Sequence, residues 1–166
     1  MTRVSRKNSL IALGVIIASA LFTSCSNEDI YFQKYTEVEN ATWNMDDAIA
    51  YDFEVSDTTA IYNFLFNLRN TNNYEFSNLF IDWELQSPDG RVKTETAEFV
   101  LAKPNGQWLG KSISGTIIEN SMLFLKKKLP VTGKYTFTFT QGMRDTSLNN
   151  VKDVGLKIVK TDEQSK

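Results

Sequence analysis

Lys134-Tyr135-Thr136-Phe137-Thr138-Phe139-Thr140-Gln141 is the stretch on which the fold turns. Tyr135, Phe137, Phe139 and Gln141 alternate with Lys134, Thr136, Thr138 and Thr140. Successive side chains of a strand leave on opposite faces, so this period of two describes a strand with one aromatic, buried face and one hydroxyl-bearing, wet face. Aromatic and β-branched residues also fit a pleated surface better than a helix.

The same reading extends outward. Tyr51, Phe53 and Val55 alternate with Asp52 and Glu54, and Ser56-Asp57-Thr58-Thr59 closes that strand with a turn. From Ile61 to Arg69, Tyr62, Phe64, Phe66 and Leu68 share one face against Asn63, Asn67 and Arg69 on the other. Asn70-Thr71-Asn72-Asn73 reads as a loop, because Asn tolerates left-handed backbone. Leu79, Ile81, Trp83 and Leu85 then alternate with Asp82, Glu84 and Gln86, up to the turn Ser87-Pro88-Asp89-Gly90, where proline presets φ and glycine accepts a positive one. Arg91 to Leu101 is a further strand whose apolar phase slips between Val92 and Phe99; a bulge near Thr96 or Ala97 would reconcile its halves. Lys103-Pro104-Asn105-Gly106 is another turn, Ile113 to Ile118 and Met122 to Leu129 are weaker strands, and Val154, Leu156 and Ile158 form the last. Gly142 to Asn150 is a long polar connection with room for a helical turn. No segment beyond the N-terminal apolar run has helical periodicity. The expected fold is all-β: a single antiparallel β-sandwich, jelly-roll-like, without internal repeats.

The N-terminus carries a different signal. Arg3, Arg6 and Lys7 precede the apolar run Leu10 to Phe22, which is too short for the roughly 20 residues of a spanning helix. Leu21-Phe22-Thr23-Ser24-Cys25 closes it. Small residues before a lone cysteine look like a bacterial lipobox, in which the thiol takes a diacylglyceryl group and Cys25 becomes the first mature residue. Phe22 stands where leucine is usual and keeps the position bulky and apolar. A thiolate is the better nucleophile for that acylation, and two or three acyl chains anchor durably where one is marginal. The competing reading is an ordinary cleaved secretory signal. The expected layout is therefore a signal peptide at 1–24, a lipidated N-terminus and tether at 25–44, a β-sandwich at 45–160 and a polar tail at 161–166.

The chain has 18 basic and 20 acidic residues; losing the three bases of the signal leaves 15 against 20, a net charge near −5. That argues against nucleic acid, or an anionic membrane surface, as the main partner. There is no histidine and one cysteine, so an intrachain disulfide is impossible and thiol or imidazole catalysis is excluded once Cys25 is acylated. Paired carboxylates are the remaining acid–base route, and Asp46-Asp47 and Asp82/Glu84 read more simply as solvated charge; no catalytic residue, metal ligand or cofactor is expected. Ser26-Asn27-Glu28-Asp29 resembles an interrupted form of the acidic signal that sends some Bacteroidetes lipoproteins to the outer leaflet, or else is a plain solvated tether.

An ordered set of stretches resembles one family. It comprises Trp43; Asp57-Thr58-Thr59 with Tyr62-Asn63; Leu68-Arg69-Asn70; Tyr74 with Phe76-Ser77-Asn78-Leu79; Ser87-Pro88-Asp89-Gly90; Gly106-Gln107-Trp108-Leu109-Gly110; Gly133-Lys134-Tyr135-Thr136-Phe137; Gln141-Gly142-Met143-Arg144; and Asp153-Val154-Gly155-Leu156. Behind a lipobox, these look like the gliding motility lipoprotein GldH family of the Bacteroidetes. Gly142 departs from the usual alanine, and Thr94-Glu95-Thr96 blurs an Asp-Thr pair. The resemblance implies a lipid-anchored outer-membrane protein, without enzymatic activity, whose partners are other envelope proteins of the gliding and type IX secretion apparatus.

Within that frame Arg69, Tyr74, Asn78, Trp108 and Arg144 are candidates for partner binding. Each has a structural alternative. Trp108 can plug one end of the sandwich, Arg144 can pin loops through Asp57, Asp145 or Asp153, and the loop from Arg69 to Asn78 can be a solvated hairpin. Thr58, after Asp57, resembles a Bacteroidetes O-glycosylation acceptor. A rival function is a surface glycan-binding lipoprotein, stacking sugar rings on exposed Trp43 or Trp108.

Overall fold

A computed structural model describes residues 29–161. The signal segment, Cys25 and the tail beyond Thr161 lie outside the described residues. The described residues form eleven strands: β1 (Ile30–Glu37), β2 (Thr42–Asn44), β3 (Ile49–Val55), β4 (Ile61–Thr71), β5 (Asn78–Gln86), β6 (Val92–Val100), β7 (Lys111–Ser112), β8 (Ile117–Lys128), β9 (Gly133–Gln141), β10 (Ser147–Asn149) and β11 (Val151–Thr161).

They form a five-stranded sheet, β1-β11-β4-β8-β7, a four-stranded sheet, β3-β9-β5-β6, and a two-stranded ribbon, β10-β2. Setting aside the three short strands, the first sheet runs first-eighth-third-sixth and the second runs second-seventh-fourth-fifth. All pairs are antiparallel. That is the order of a jelly roll, two interleaved Greek keys.

The alternating residues read from the chain make the seam between the sheets. Tyr62, Phe64, Phe66 and Leu68 of β4 and Tyr135, Phe137 and Phe139 of β9 are buried. Their rings meet across the gap: Phe53 to Phe64 at 6.0 Å, Phe64 to Phe137 at 5.6 Å, and Phe66 to Phe139 at 5.0 Å between centroids. Such pairs add to the transfer energy of burying each ring. Tyr51 links the sheets by a polar bond as well, its phenol donating to the Val154 carbonyl at 2.7 Å.

Several local expectations are corrected. Residues 30–44, expected within the tether, hold β1, a 3-10 turn (Glu39–Ala41) and β2. β1 pairs along β11 from Ile30 to Glu37, and the polar composition of this segment reflects an edge strand exposed on its outer face. No bulge interrupts β6, whose register with β5 is unbroken from Val92 to Val100. Being the edge strand, β6 exposes Val92 and Val100, while Lys93 lies over the Trp83 ring and covers it. The bulge occurs instead in β8, where Phe64 faces Leu125 but Leu65 faces Leu123. The extra residue, Phe124, reaches the rings of Trp83, Phe99, Phe137 and Phe139 at 5.5 to 6.2 Å. Between Gly142 and Asn150 there is the short strand β10, whose Leu148 pairs with Trp43, in place of a helical turn. Residues 113–116 turn the chain between β7 and β8.

Candidate functional site

The sandwich has two ends. One carries the start of β1, the β3–β4 turn, the β5–β6 hairpin and the β8–β9 connection. The other carries the β4–β5 loop, the long segment between β6 and β8, and the β9–β10 loop. Most of the sequence candidates gather at this second end.

Tyr74 is buried there, its ring 5.7 Å from Phe76 and 6.5 Å from Trp108. Its hydroxyl approaches the Asn78 carbonyl at 3.4 Å, and burial pushes its pKa up, so it stays a neutral phenol. Asn78 is half-buried and donates across the sheet to Glu98 at 2.7 Å. Trp108 is half-buried. Its loop is held by the bridge between Ala102 and Trp108 and by the Leu109 amide on the Leu101 carbonyl at 2.8 Å. Gly106 makes the turn beneath it with φ of 82°, a left-handed value that glycine adopts without penalty.

Next to this cluster lies an open hollow of about 540 Å³, lined by Phe76, Phe80, Gly142, Met143, Arg144 and Asp145. Gln141 shapes its rim, since the buried carboxamide donates to the Asp145 carbonyl and accepts from the Met143 amide, both at 2.8 Å. The Gly142 amide donates to Phe80 O at 2.8 Å, so β9 hands the loop over with Met143 against Phe80. A methyl on Gly142 would stand 3.3 Å from the Asp82 carboxylate, the mobile end of a side chain, so the alanine usual in the resembled family fits here with a small shift. Arg144 is exposed at the mouth. An apolar floor with the Arg144 guanidinium and the Asp145 carboxylate on its rim suits a bulky apolar side chain flanked by polar groups.

The structure thus brings Tyr74, Asn78, Trp108 and Arg144 together around Phe76. It separates Arg69 from them. Arg69 lies on the outer face of the five-stranded sheet, with Nε and Nη2 both 2.9 Å from Glu119 Oε1 and the cation 4.1 Å from the Tyr35 ring centre. Tyr35 donates to the same Glu119 oxygen at 3.1 Å. Burial disfavours the Arg69 cation, but Glu119 outweighs it and the pKa is raised; Tyr35 is raised by burial first and by Glu119 second. Thr58 sits at the opposite end, half-buried, in a turn organised by Asp57. The Asp57 carboxylate takes the Thr59 amide at 2.9 Å and Lys160 at 2.8 Å, which together hold its pKa well below the usual carboxylate range. Asp57 is thereby engaged by Lys160, not by Arg144.

Trp43 and Trp83 are buried, and Trp43 Nε1 donates to the Asp47 carbonyl at 2.8 Å. They offer a sugar ring no face, which leaves the glycan reading with half-buried Trp108 alone. Asp82 and Glu84 lie on the outer face of the four-stranded sheet beside Thr94 and Thr96, with the Thr96 hydroxyl donating to Asp82. Phe76, Phe80 and Met143 were not legible as site residues. Phe76 stood in the sequence only as part of a resembling stretch, and Phe80 shares the polar-facing side of β5 with Asp82 and Glu84, so neither marked a hollow; Met143 was noted only as the neighbour of Arg144.

The GldH lipoprotein family model matches residues 30–158. The gliding motility lipoprotein GldH of Flavobacterium johnsoniae is 34% identical over 163 residues, covering 94% of this chain and 98% of its own. A gliding motility lipoprotein GldH homolog from Christiangramia forsetii is 33% identical over 156 residues, covering 89% and 93%. Among solved structures, a family 35 carbohydrate binding module from Clostridium thermocellum aligns with a TM-score of 0.33 and 14% identity, over 69% of this chain and 95% of that one. That likeness is too slight to bear on function.

Proposed function

The chain belongs to the GldH lipoprotein family, and on that premise we propose that it is a non-enzymatic accessory component of the Bacteroidetes gliding and type IX secretion machinery. It works by protein–protein contact at the outer membrane, anchored through acyl chains on Cys25. The lipid confines the domain to a surface and raises its effective concentration toward partners that share it. The sandwich presents the hollow beside Arg144, with Tyr74, Asn78 and Trp108 flanking it. The family match over residues 30–158 carries this reading. The hollow supports the mode of action, because it pairs an apolar floor with an exposed cation.

The test is a photo-crosslinking residue at Arg144, activated in living cells, followed by membrane extraction and mass spectrometry. Envelope components of the motility and secretion apparatus should be captured, and Arg144→Glu should abolish their recovery by pull-down. Capture of polysaccharide-uptake components in their place would overturn the assignment. Separately, the protein should incorporate labelled fatty acid, and Cys25→Ala should abolish that incorporation.

A further inference from the structure

Negative overall, the molecule distributes its charge unevenly between its two ends. At the end where β1 begins, the register aligns Ile30 with Val159, Thr161 with Ile61, Ile61 with Lys128, Tyr62 with Lys127, and Asn63 with Lys126. The run Lys126–Lys128 therefore lies at the same end as the emerging N-terminus. A hollow of about 190 Å³ opens beside it, lined in part by Arg91, Lys93 and Lys127 together with Val92, Leu129 and Pro130. Acids at this end are mostly paired: Arg91 meets Asp89 and Lys93 meets Glu95, each at 2.7 Å, and Lys160 meets Asp57 at 2.8 Å, while Asp29 is exposed where the N-terminal segment emerges. The Arg91 and Lys93 pairs are solvent-exposed and so hold weakly, leaving their donors available to another anion. Glu54 is on β3, at the corner away from the lysine run. The far end is weighted the other way, with exposed Glu37, Glu39, Asp46, Asp47, Glu75 and Asp145 against Lys103, Lys111, Arg144 and Lys152.

The tether decides which end meets the bilayer. Asp29 is already fixed, its carbonyl accepting from the Lys160 amide at 2.9 Å. Three residues separate it from Cys25, four Cα-to-Cα steps and a reach of at most about 14 Å when fully extended. An acylated sulfur at the bilayer surface must therefore hold this end close to the headgroups. Ile30 and Val92, about half exposed, add apolar surface there.

We infer that the β1-start end of the sandwich is a bilayer-facing surface, and that the hollow formed by Arg91, Lys93 and Lys127 engages the phosphates of anionic lipid headgroups, with Lys126 at the same end on the opposite face of β8. This orientation rests on the lipid-anchor reading, and it leaves the Arg144 end pointing away from the membrane. Each lysine near an anionic surface favours contact by roughly fivefold, and salt screens the effect.

The test uses the acylated full chain in phosphatidylethanolamine vesicles with or without phosphatidylglycerol. A fluorophore is placed on Ser56→Cys, in the exposed β3–β4 turn at the β1-start end, or on Asn105→Cys, and a headgroup-bound quencher reads proximity. The Ser56→Cys probe should be quenched and the Asn105→Cys probe spared, with phosphatidylglycerol strengthening the quenching at Ser56→Cys. Lys126→Glu with Lys127→Glu should remove that strengthening, and the milder Lys126→Gln with Lys127→Gln should remove part of it, with unchanged circular dichroism in both. Equal quenching at the two ends, or indifference to phosphatidylglycerol, would overturn the inference while leaving anchorage intact. Loss of the phosphatidylglycerol effect when inorganic phosphate replaces chloride at constant ionic strength would assign the hollow to the free anion and overturn the lipid assignment. Failure of the wild-type protein to incorporate labelled fatty acid would instead defeat the anchor reading itself.

Discussion

Tyr51 joins the two sheets through one buried phenol, and its replacement isolates that bond. Tyr51→Phe keeps the ring against Phe139 and Phe32 but removes the hydroxyl's bond to the Val154 carbonyl. The expected loss is about 1–2 kcal/mol in urea unfolding. Burial raises the Tyr51 and Tyr62 pKa values from 10.0 to about 12. Between those pH values the unfolded chain has released protons that the folded chain retains, so stability falls as pH rises from 10 toward 12. Tyr51→Phe should flatten part of that fall, as read by urea midpoints across the range. Asn67 offers the opposite experiment. It is buried at 1% exposure, on the side of β4 that the alternation marks as polar, and neither atom of its carboxamide has a hydrogen-bond partner among the described residues. Asn67→Leu, of similar volume, should raise stability by about 1 kcal/mol, and a lowered melting temperature would show that the amide is satisfied in solution.

At the scale of elements, the edges of the sandwich govern behaviour. β7 covers β8 only at Glu119 and Ile118, and the chain can approach that closely because residue 110 is glycine. A methyl there would lie 2.7 Å from the Glu119 carbonyl oxygen and 2.6 Å from the Ile118 side chain. Gly110→Ala should detach β7, cost about 1–3 kcal/mol and accelerate amide exchange in residues 111–119 first. Uniform exchange across β8 would count against a local effect. Beyond β7, β8 continues as an edge to Lys128, and its final lysines discourage strand addition as well as facing the proposed lipid surface.

For the whole molecule, one aromatic seam shared by both sheets implies one cooperative unit. Urea unfolding followed by tryptophan fluorescence and by circular dichroism should give coincident transitions, and reductant should leave the midpoint unchanged because the chain has a single cysteine. Separated transitions would mean that the β2–β10 ribbon and its neighbouring loops unfold on their own. The polarity of the molecule also belongs to this scale: anchor and lysines at one end, the Arg144 hollow at the other.

The strands β3, β4, β5 and β9 were written in the chain itself, because a period of two is local and each aromatic face needs only its own neighbours to be recognised. The lipobox and the family resemblance were legible for the same reason: each is a short pattern or an ordered set of them. Tertiary structure alone decided that residues 30–37 close an edge, that β6 exposes Val92 in place of bulging, and that Phe124 is the residue turned inward. It alone set Phe76, Phe80 and Met143 around Arg144, and gave Arg69 to Glu119. Those outcomes depend on which strand lies beside which, and that pairing is fixed by packing between residues far apart in the chain, where no local pattern reaches.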